Sequence, residues 1–254
     1  MNVHTATRTD SMPMVWAASY LMSISMLVTN LQPVVLGALA DTLGFSNREL
    51  GYISAALMGA STLCIATAPF WVRRANWRHL SYVCLVLGTA SAIAGMVATT
   101  FALFLLLFVV MGVVKGALNA PSFACLGDTR NPDRNFGISA VVQAITASII
   151  VWPVSAYVIP HYGTPGVFVV IALVVASGLP LVRLIPTHGT GNVEVDQTRL
   201  PRESAPIVSR AAIPAFAMLV ATALFSAGLV GFWYFVERIG VELGVTPAVI
   251  GLTL

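Results

Sequence analysis

The sequence predicts an all-α, polytopic membrane protein, and its composition and the spacing of its charges carry that prediction. Of the 254 residues, 57% are hydrophobic and only 9% are charged, whereas a typical soluble domain has about 25% charged residues. Residues 11–40, 50–72 and 211–236 contain no charge, and a helix needs about 20 apolar residues to cross a bilayer. A lipid bilayer is therefore an expected partner. This composition excludes an ordinary cytosolic enzyme, a disordered protein and a nucleic-acid-binding protein.

Six predicted spans fill the first three quarters of the chain. The apolar stretch 80–124 is too long for one crossing, and we divide it at Ala98-Thr99-Thr100. The stretch 137–184 is divided at residues 161–166, where glycine and proline residues give a turn signal. The six spans cover about residues 14–39, 50–72, 80–97, 101–124, 137–159 and 167–185.

A polar segment and the start of a second set of spans follow. A seventh span covers about residues 211–236, and an eighth begins near Thr246. The nine residues from Thr246 to Leu254 cannot cross a core of about 30 Å at a rise of about 1.5 Å per residue. We therefore expect residues 1–186 to form an N-terminal six-helix bundle, 187–210 a cytoplasmic interdomain loop, and 211–254 the start of a C-terminal bundle.

The basic residues predict how the chain is oriented. With a cytoplasmic N-terminus, ten arginines fall on the cytoplasmic side and two on the other side, as the positive-inside rule requires. We expect a multi-pass protein of the plasma membrane in that orientation. The ten are Arg8, Arg73, Arg74, Arg78, Arg130, Arg134, Arg183, Arg199, Arg202 and Arg210, and the two are Arg48 and Arg238.

Lys115 is the most informative single residue, because it is the only lysine and lies near the middle of the fourth span. A charge at that depth costs roughly 2.5–3.5 kcal/mol on insertion scales. We expect it to face a watery cavity or a partner, where it would bind an anion or take part in proton coupling. The alternative is a lysine satisfied by neighbouring carbonyl and polar groups, with no role in transport.

Four further residues are candidates for substrate binding beside Lys115. Asn119 lies four residues later, on the same face of the helix. Asn30 and Gln143 are amides inside the first and fifth spans, and helix–helix packing is the alternative for both. Trp152, before Pro153, could stack on a substrate, but membrane tryptophans also serve as packing residues and interface anchors.

A short internal repeat suggests that the chain contains two related halves. The segment LGFSNRELG at residues 43–51 precedes and opens the second span, and LGVTPAVIG at residues 243–251 stands in the same place before the eighth. Each supplies a helix start, through a predicted capping box of Ser46 and Glu49 and through Thr246 before Pro247.

With six spans, a long loop and the start of a second six, the sequence resembles the major facilitator superfamily of secondary transporters. The sequence PFWVRRANWR at residues 69–78 aligns with the family's G-x-x-x-D-R-x-G-R-R motif but departs from it, with Arg73 at the carboxylate position. The fourth span ends like the family, in GVVKG at 112–116 and then DTRNPDRNFG at 128–137. The resemblance implies two parallel six-helix halves with a binding site near the midplane.

The same resemblance implies a cytoplasmic gate built from the loops after the second and fourth spans. Solvated loop charges that only fix the topology are an equal alternative, and the arginine at the carboxylate position argues against the family's usual lock. The gate candidates are Arg73, Arg74, Arg78, Asp128 and Arg134.

The predicted function is therefore secondary active transport of a small organic solute by alternating access, with an anionic substrate and proton coupling as options. The alternative is a truncated or degenerate transporter fragment without activity of its own, because a complete cavity needs a C-terminal half that is not in the chain. No catalytic motif is present, and the four histidines do not cluster. We expect no enzyme activity, no cofactor and no metal site.

Overall fold

The computed structural model describes residues 11–189 and, beyond them, only residues 221, 224, 228, 239, 240 and 243. The described part consists of helices joined by short connections, as predicted. The seventh and eighth spans, and the repeat segment that precedes the eighth, lie almost entirely outside the described residues. The helices are α1 (Met12–Asn30), α2 (Gln32–Leu43), α3 (Asn47–Trp71), α4 (Trp77–Val97), α5 (Phe101–Gly127), α6 (Pro132–Pro153) and α7 (Ile159–Ser177).

The first span is two helices rather than the single one we predict from the sequence. It breaks at Leu31, between α1 and α2. Pro33 lies two residues later, and because proline has no N–H it leaves a carbonyl of α1 without its helical hydrogen bond. The span ends at Gly44, whose φ of 69° is the left-handed conformation that glycine adopts readily at helix ends.

The second span begins with the predicted capping box. The backbone N–H of Glu49 donates to Ser46 Oγ at 3.4 Å, and the backbone N–H of Ser46 donates to Glu49 Oε2 at 2.9 Å. The third span, α4, is capped by Asn76, whose side chain accepts from the N–H of His79. The boundary between α4 and α5 falls at residues 98–100, where the sequence predicts it.

The fifth and sixth spans form one apolar run, Pro132–Leu184, of 53 residues. The chain reverses at Gly163, the one residue inside α7 with non-helical angles (φ 58°, ψ −154°), within the predicted turn at 161–166. Hydrogen bonds of 2.7 Å join Thr42 to Thr164 at one end of the bundle and Tyr20 to Ser177 nearer the other. A π-helical turn, Val154–Val158, follows α6, and a 3-10 turn, Leu179–Leu184, follows α7.

Helix α5 packs most extensively on α3, while α1 packs on α6 and α4 on α7. Gly112 and Gly116 lie where α5 meets α3. A Cβ on Gly112 would meet the Leu57 carbonyl oxygen, and one on Gly116 would lie 2.6 Å from Cys64 Cβ. The sequence spacing predicts this close helix packing.

Large apolar side chains cover much of the outside of the bundle. Leu63, Leu106 and Ile149 are 70%, 58% and 66% exposed, which is the arrangement that lipid rather than water would favour. The described residues contain five helical stretches long and apolar enough to span a membrane, the last of which is the run of two spans. The prediction of an all-α polytopic membrane protein is confirmed.

Candidate functional site

Lys115 lies inside the bundle and is only 8% exposed. Its Nζ lies 3.7 Å from the Met58 sulfur of α3, which is a weak acceptor. Arg73 and Asp128 form an ion pair elsewhere in the bundle, and no carboxylate among the described residues is paired with Lys115. The structure thus buries an ionisable side chain that has no strong counter-group among the described residues.

A small cavity surrounds the Lys115 side chain. Its volume is about 20 Å³, which is enough for about one water molecule. Apart from Lys115 and Ser25, the side chains around it are aliphatic, methionine or glycine. The lining residues come from α1, α4, α5 and α7, and they are Ile24, Ser25, Val28, Gly88, Met111, Val114, Lys115, Leu118, Ile171 and Val175.

Asn119 joins α5 to α1 one turn away from Lys115. Its Nδ2 donates to Ser25 Oγ at 3.1 Å, and Ser25 Oγ donates to the Met22 carbonyl at 2.7 Å. Because Ser25 also lines the cavity at Lys115, these three side chains form one polar cluster, which we call the polar cluster of α5.

The other three predicted binding residues lie apart from this cluster. Asn30 is half-buried at the last position of α1. Gln143 is half-buried, and its Nε2 donates within its own helix to the Ser139 carbonyl at 3.3 Å. Trp152 is 49% exposed on the outside of the described bundle. None of the three lines the cavity at Lys115, and their role in binding stays a prediction.

Sequence reasoning missed two residues of the site, Ser25 and Met58. A serine inside a helix usually bonds to its own backbone, so nothing in the sequence separates Ser25 from Ser23, which donates to the Ser19 carbonyl. Gln32, at the start of α2, is a further buried amide. It is fully buried, and neither atom of its amide has a hydrogen-bond partner among the described residues.

The five gate candidates make different contacts at one end of the bundle. This end contains the loops after the second and fourth spans, and we call it the arginine-rich end. Arg73 Nη2 lies 3.5 Å from Asp128 Oδ1, and their side chains are 58% and 6% exposed. Arg78 donates from Nε and Nη2 to the Ile185 carbonyl at 3.0 and 2.9 Å. Arg74 is exposed, and Arg134 lies beside Met12 at 3.2 Å. The structure therefore brings together only Arg73 and Asp128 of the five.

The chain that follows the sixth span packs over this end. The backbone N–H of Trp77 donates to the Thr187 carbonyl at 2.8 Å. A Cβ on Gly189 would lie 2.9 Å from Asp128 Oδ2 and from the Trp77 ring. The loops after the second and fourth spans and the start of the predicted interdomain loop thus meet at one place.

No cluster of three or more His, Cys, Asp or Glu residues that could hold a metal ion occurs in the part of the chain that the structure describes. A cavity of about 20 Å³ beside one buried cation admits water or a proton, whereas pockets for small organic ligands measure about 300–1,000 Å³.

Comparison with known proteins agrees with the helical architecture. The family model described as Major Facilitator Superfamily matches residues 18–254. The comparison with curated proteins finds no match. Members of the family are transporters rather than enzymes, and they cross the membrane several times. Since the match covers nearly the whole chain and the described residues form the expected apolar helices, the chain belongs to the major facilitator superfamily of membrane transporters.

Proposed function

We propose that the chain belongs to a secondary active transporter that moves a small organic solute across the plasma membrane by alternating access. Residues 1–186 form one six-helix half of the carrier, residues 187–210 the cytoplasmic connection, and residues 211–254 the beginning of the second half. The substrate site lies between the halves, as in other transporters built from repeats. The matched family and the repeat at residues 43–51 and 243–251 support this organisation.

The single observation that carries the proposal is that Lys115 is buried and has no carboxylate partner among the described residues. An ionisable residue inside a membrane is costly and usually marks a substrate, ion or proton path. Met58 offers Lys115 only a sulfur atom at 3.7 Å. An anionic substrate group or a titrating proton would remove the cost of the unpaired charge.

The size of the cavity at Lys115 favours a proton as its immediate partner in this conformation. One water molecule fits beside the side chain, and a solute would need the helices to separate first. Alternating access provides such a separation. We therefore propose that Lys115 exchanges a proton while the site is closed and faces the anionic solute when the site is open.

The proposed orientation places the N-terminus in the cytoplasm. Ten arginines on the predicted cytoplasmic side, against two on the other side, support this orientation. A single cysteine introduced at Ala75, in the loop after the second span, should react with a membrane-impermeant maleimide only after the cells are opened, in a background without the three native cysteines. A cysteine at Asn47, at the opposite end, should react in intact cells. The reverse pattern would contradict the orientation.

Transport is tested by supplying the chain, in membrane vesicles with an imposed pH gradient, with a panel of labelled organic anions, cations and neutral solutes. We expect uptake of an anion that depends on the gradient. Lys115→Ala should lower its rate at least tenfold, Lys115→Arg should restore part of it, and Val113→Ala, on the exposed face of the same helix, should leave it unchanged.

Wild-type uptake and wild-type binding in both Lys115 variants would rule out its role. Movement of no solute in the panel would favour the alternative of a transporter fragment without activity of its own.

A further inference from the structure

A short segment after the sixth span lies across the arginine-rich end of the bundle. It consists of residues 185–189, which follow the 3-10 turn, and we call it the strap. Arg78 of α4 donates from Nε and Nη2 to the Ile185 carbonyl at 3.0 and 2.9 Å. The backbone N–H of Trp77 donates to the Thr187 carbonyl at 2.8 Å. The strap is therefore tied to the start of α4 at two of its residues.

Trp77 connects this attachment to the loop after the second span. The start of a helix leaves backbone N–H groups without helical partners. Asn76 accepts from the N–H of His79, and the strap accepts from that of Trp77. Trp77 is fully buried, and its indole N–H donates to the Val72 carbonyl at 2.6 Å. One residue thus joins the strap, the start of α4 and the end of the second span.

The last residue of the strap reaches the loop after the fourth span. A Cβ on Gly189 would lie 2.9 Å from Asp128 Oδ2 and from the Trp77 ring, too close for a packed interior. The Asp128 side chain is 6% exposed, and its Oδ1 lies 3.5 Å from Arg73 Nη2. Glycine is therefore the residue that lets the strap lie against Asp128, and a larger side chain would push the strap away.

Two features of these contacts favour a reversible attachment. Of the five strap residues only Ile185 is buried, and segments with few buried apolar contacts are the first to open. Asp128 Oδ2 is buried beside Gly189 and has no hydrogen-bond partner among the described residues. A buried carboxylate oxygen without a donor is unfavourable. Release of the strap would let water reach that oxygen and would offset part of the lost contacts.

We propose that the strap holds the arginine-rich end in one arrangement and releases it reversibly. When it is seated, it fixes the start of α4, the loop after the second span and Asp128 relative to one another. When it is released, the N–H of Trp77 loses its partner and Asp128 is hydrated. Because the chain continues from Gly189 into the predicted interdomain loop, a pull on that loop would act on the strap first. The proposal does not depend on transport or on Lys115.

Hydrogen–deuterium exchange of the purified 254-residue chain in detergent tests the strap, with fragmentation in the mass spectrometer to resolve single amides. The variant is Gly189→Val, and Gly127→Val is the matched control, because Gly127 precedes Asp128 and a Cβ there would meet nothing within 4 Å. A second variant, Arg78→Gln, removes the two hydrogen bonds to the Ile185 carbonyl without adding bulk.

We expect Gly189→Val to raise the exchange rate of the Trp77 amide about tenfold or more, because local opening sets that rate. The amides of Asp128 and Thr129, whose hydrogen bonds close the end of α5, should exchange faster in the same variant. Arg78→Gln should give the same pattern with a smaller change. Amides in the middle of α4 should keep their rates in both variants, and the control should stay within about twofold of the wild type throughout.

Three results would overturn the proposal. The first is a Trp77 amide whose exchange in both variants stays within about twofold of the wild type. The second is an equal rise in Gly189→Val and Gly127→Val, which would show that any bulk near Asp128 loosens this end. The third is a rise at Trp77 without one at Asp128 and Thr129, which would reduce the strap to a cap of α4. Arg78→Gln keeps the test decisive if Gly189→Val fails to fold.

Discussion

Helix α5 meets its neighbours in two different ways. Towards α3 it presents Gly112 and Gly116, and the two backbones approach so closely that no Cβ fits between them. We call this side the tight face. Towards α1 it presents the polar cluster of α5, with a hydrogen bond from Asn119 to Ser25 and a cavity beside Lys115. We call this side the polar face.

The difference shows where the helical bundle is closely packed and where it has room to change. The tight face is held by close van der Waals contact, which fails when either helix moves by a fraction of an ångström. The polar face contains space for a water molecule, an unpaired charge and a hydrogen bond that water could replace. We therefore expect α3 and α5 to move as one unit that keeps the contact between Lys115 and Met58. The hydrogen bond from Asn119 to Ser25 of α1 is the contact that we expect to change during transport.

The largest effect should come from breaking the tight face. Gly116→Leu places side-chain atoms where a Cβ alone would lie 2.6 Å from Cys64 Cβ and 2.9 Å from the Ser61 carbonyl. We expect a loss of about 3 kcal/mol or more in the free energy of unfolding, since overpacking forces the helices apart. Unfolding in mixed micelles with increasing SDS measures it.

Gly59→Leu is the matched control, because a Cβ on Gly59 of α3 meets nothing within 4 Å. Its stability should stay close to that of the wild type. Equal losses in the two variants would mean that α3 and α5 are not held together as described.

The second effect has the opposite sign and concerns the polar face. Lys115→Met removes a buried charge that lacks a carboxylate partner among the described residues. We expect the free energy of unfolding to rise by up to about 2.5 kcal/mol, while solute uptake is lost. The same micelle titration measures the change, with Val113→Met on the exposed face as the control. A loss of stability would instead support the alternative that neighbouring groups satisfy the lysine.

A smaller effect measures the link between α1 and α5. In a double-mutant cycle of Ser25→Ala and Asn119→Ala, we expect a coupling energy of about 0.6–1.7 kcal/mol, as for other hydrogen bonds between membrane helices. The control pair combines Asn119→Ala with Ser81→Ala, because the Ser81 hydroxyl donates to the Trp77 carbonyl of its own helix. Coupling there should stay below about 0.5 kcal/mol. If the coupling energies of the two cycles do not differ, Ser25 does not join α1 to the polar face of α5.

The smallest effect lies outside both faces, at the arginine-rich end. Arg73 is mostly exposed and 3.5 Å from Asp128, so Arg73→Gln should lower the free energy of unfolding by less than about 1 kcal/mol. The difference from the wild type should shrink further in 1 M salt, which screens exposed charges. Arg74→Gln is the matched control. A loss of several kcal/mol at Arg73 alone would show that the nearly buried Asp128 depends on this contact.

The sequence predicted the helices well, because apolar length and charge placement decide where a chain can cross a membrane. It also predicted the capping box at Ser46 and the close packing at Gly112 and Gly116, since both depend on residues a few positions apart. The break at Leu31 was missed although Pro33 is visible in the sequence, because prolines inside membrane helices are often tolerated without a break.

The site was harder to predict than the fold. Lys115 and Asn119 share a face of one helix, and the structure keeps them close together. Asn30, Gln143 and Trp152 lie on other helices, and their positions relative to Lys115 depend on how each helix is rotated in the bundle. Apolar residues occur on every face of these helices, since lipid and core both accept apolar side chains, so the sequence pattern does not fix that rotation.

Two of the crossings within the described residues are made of two pieces. The first is interrupted at Leu31, and the fifth passes through the π-helical turn that begins at Val154, directly after Pro153. Breaks of this kind have identifiable local causes, and a proline lies within two residues of each of them. Helix α2, beyond the first break, is 12 residues long and thus about 18 Å in length. Both breaks lie in the half of the bundle away from the arginine-rich end, so that half contains the backbone groups that have to find partners outside their own helix.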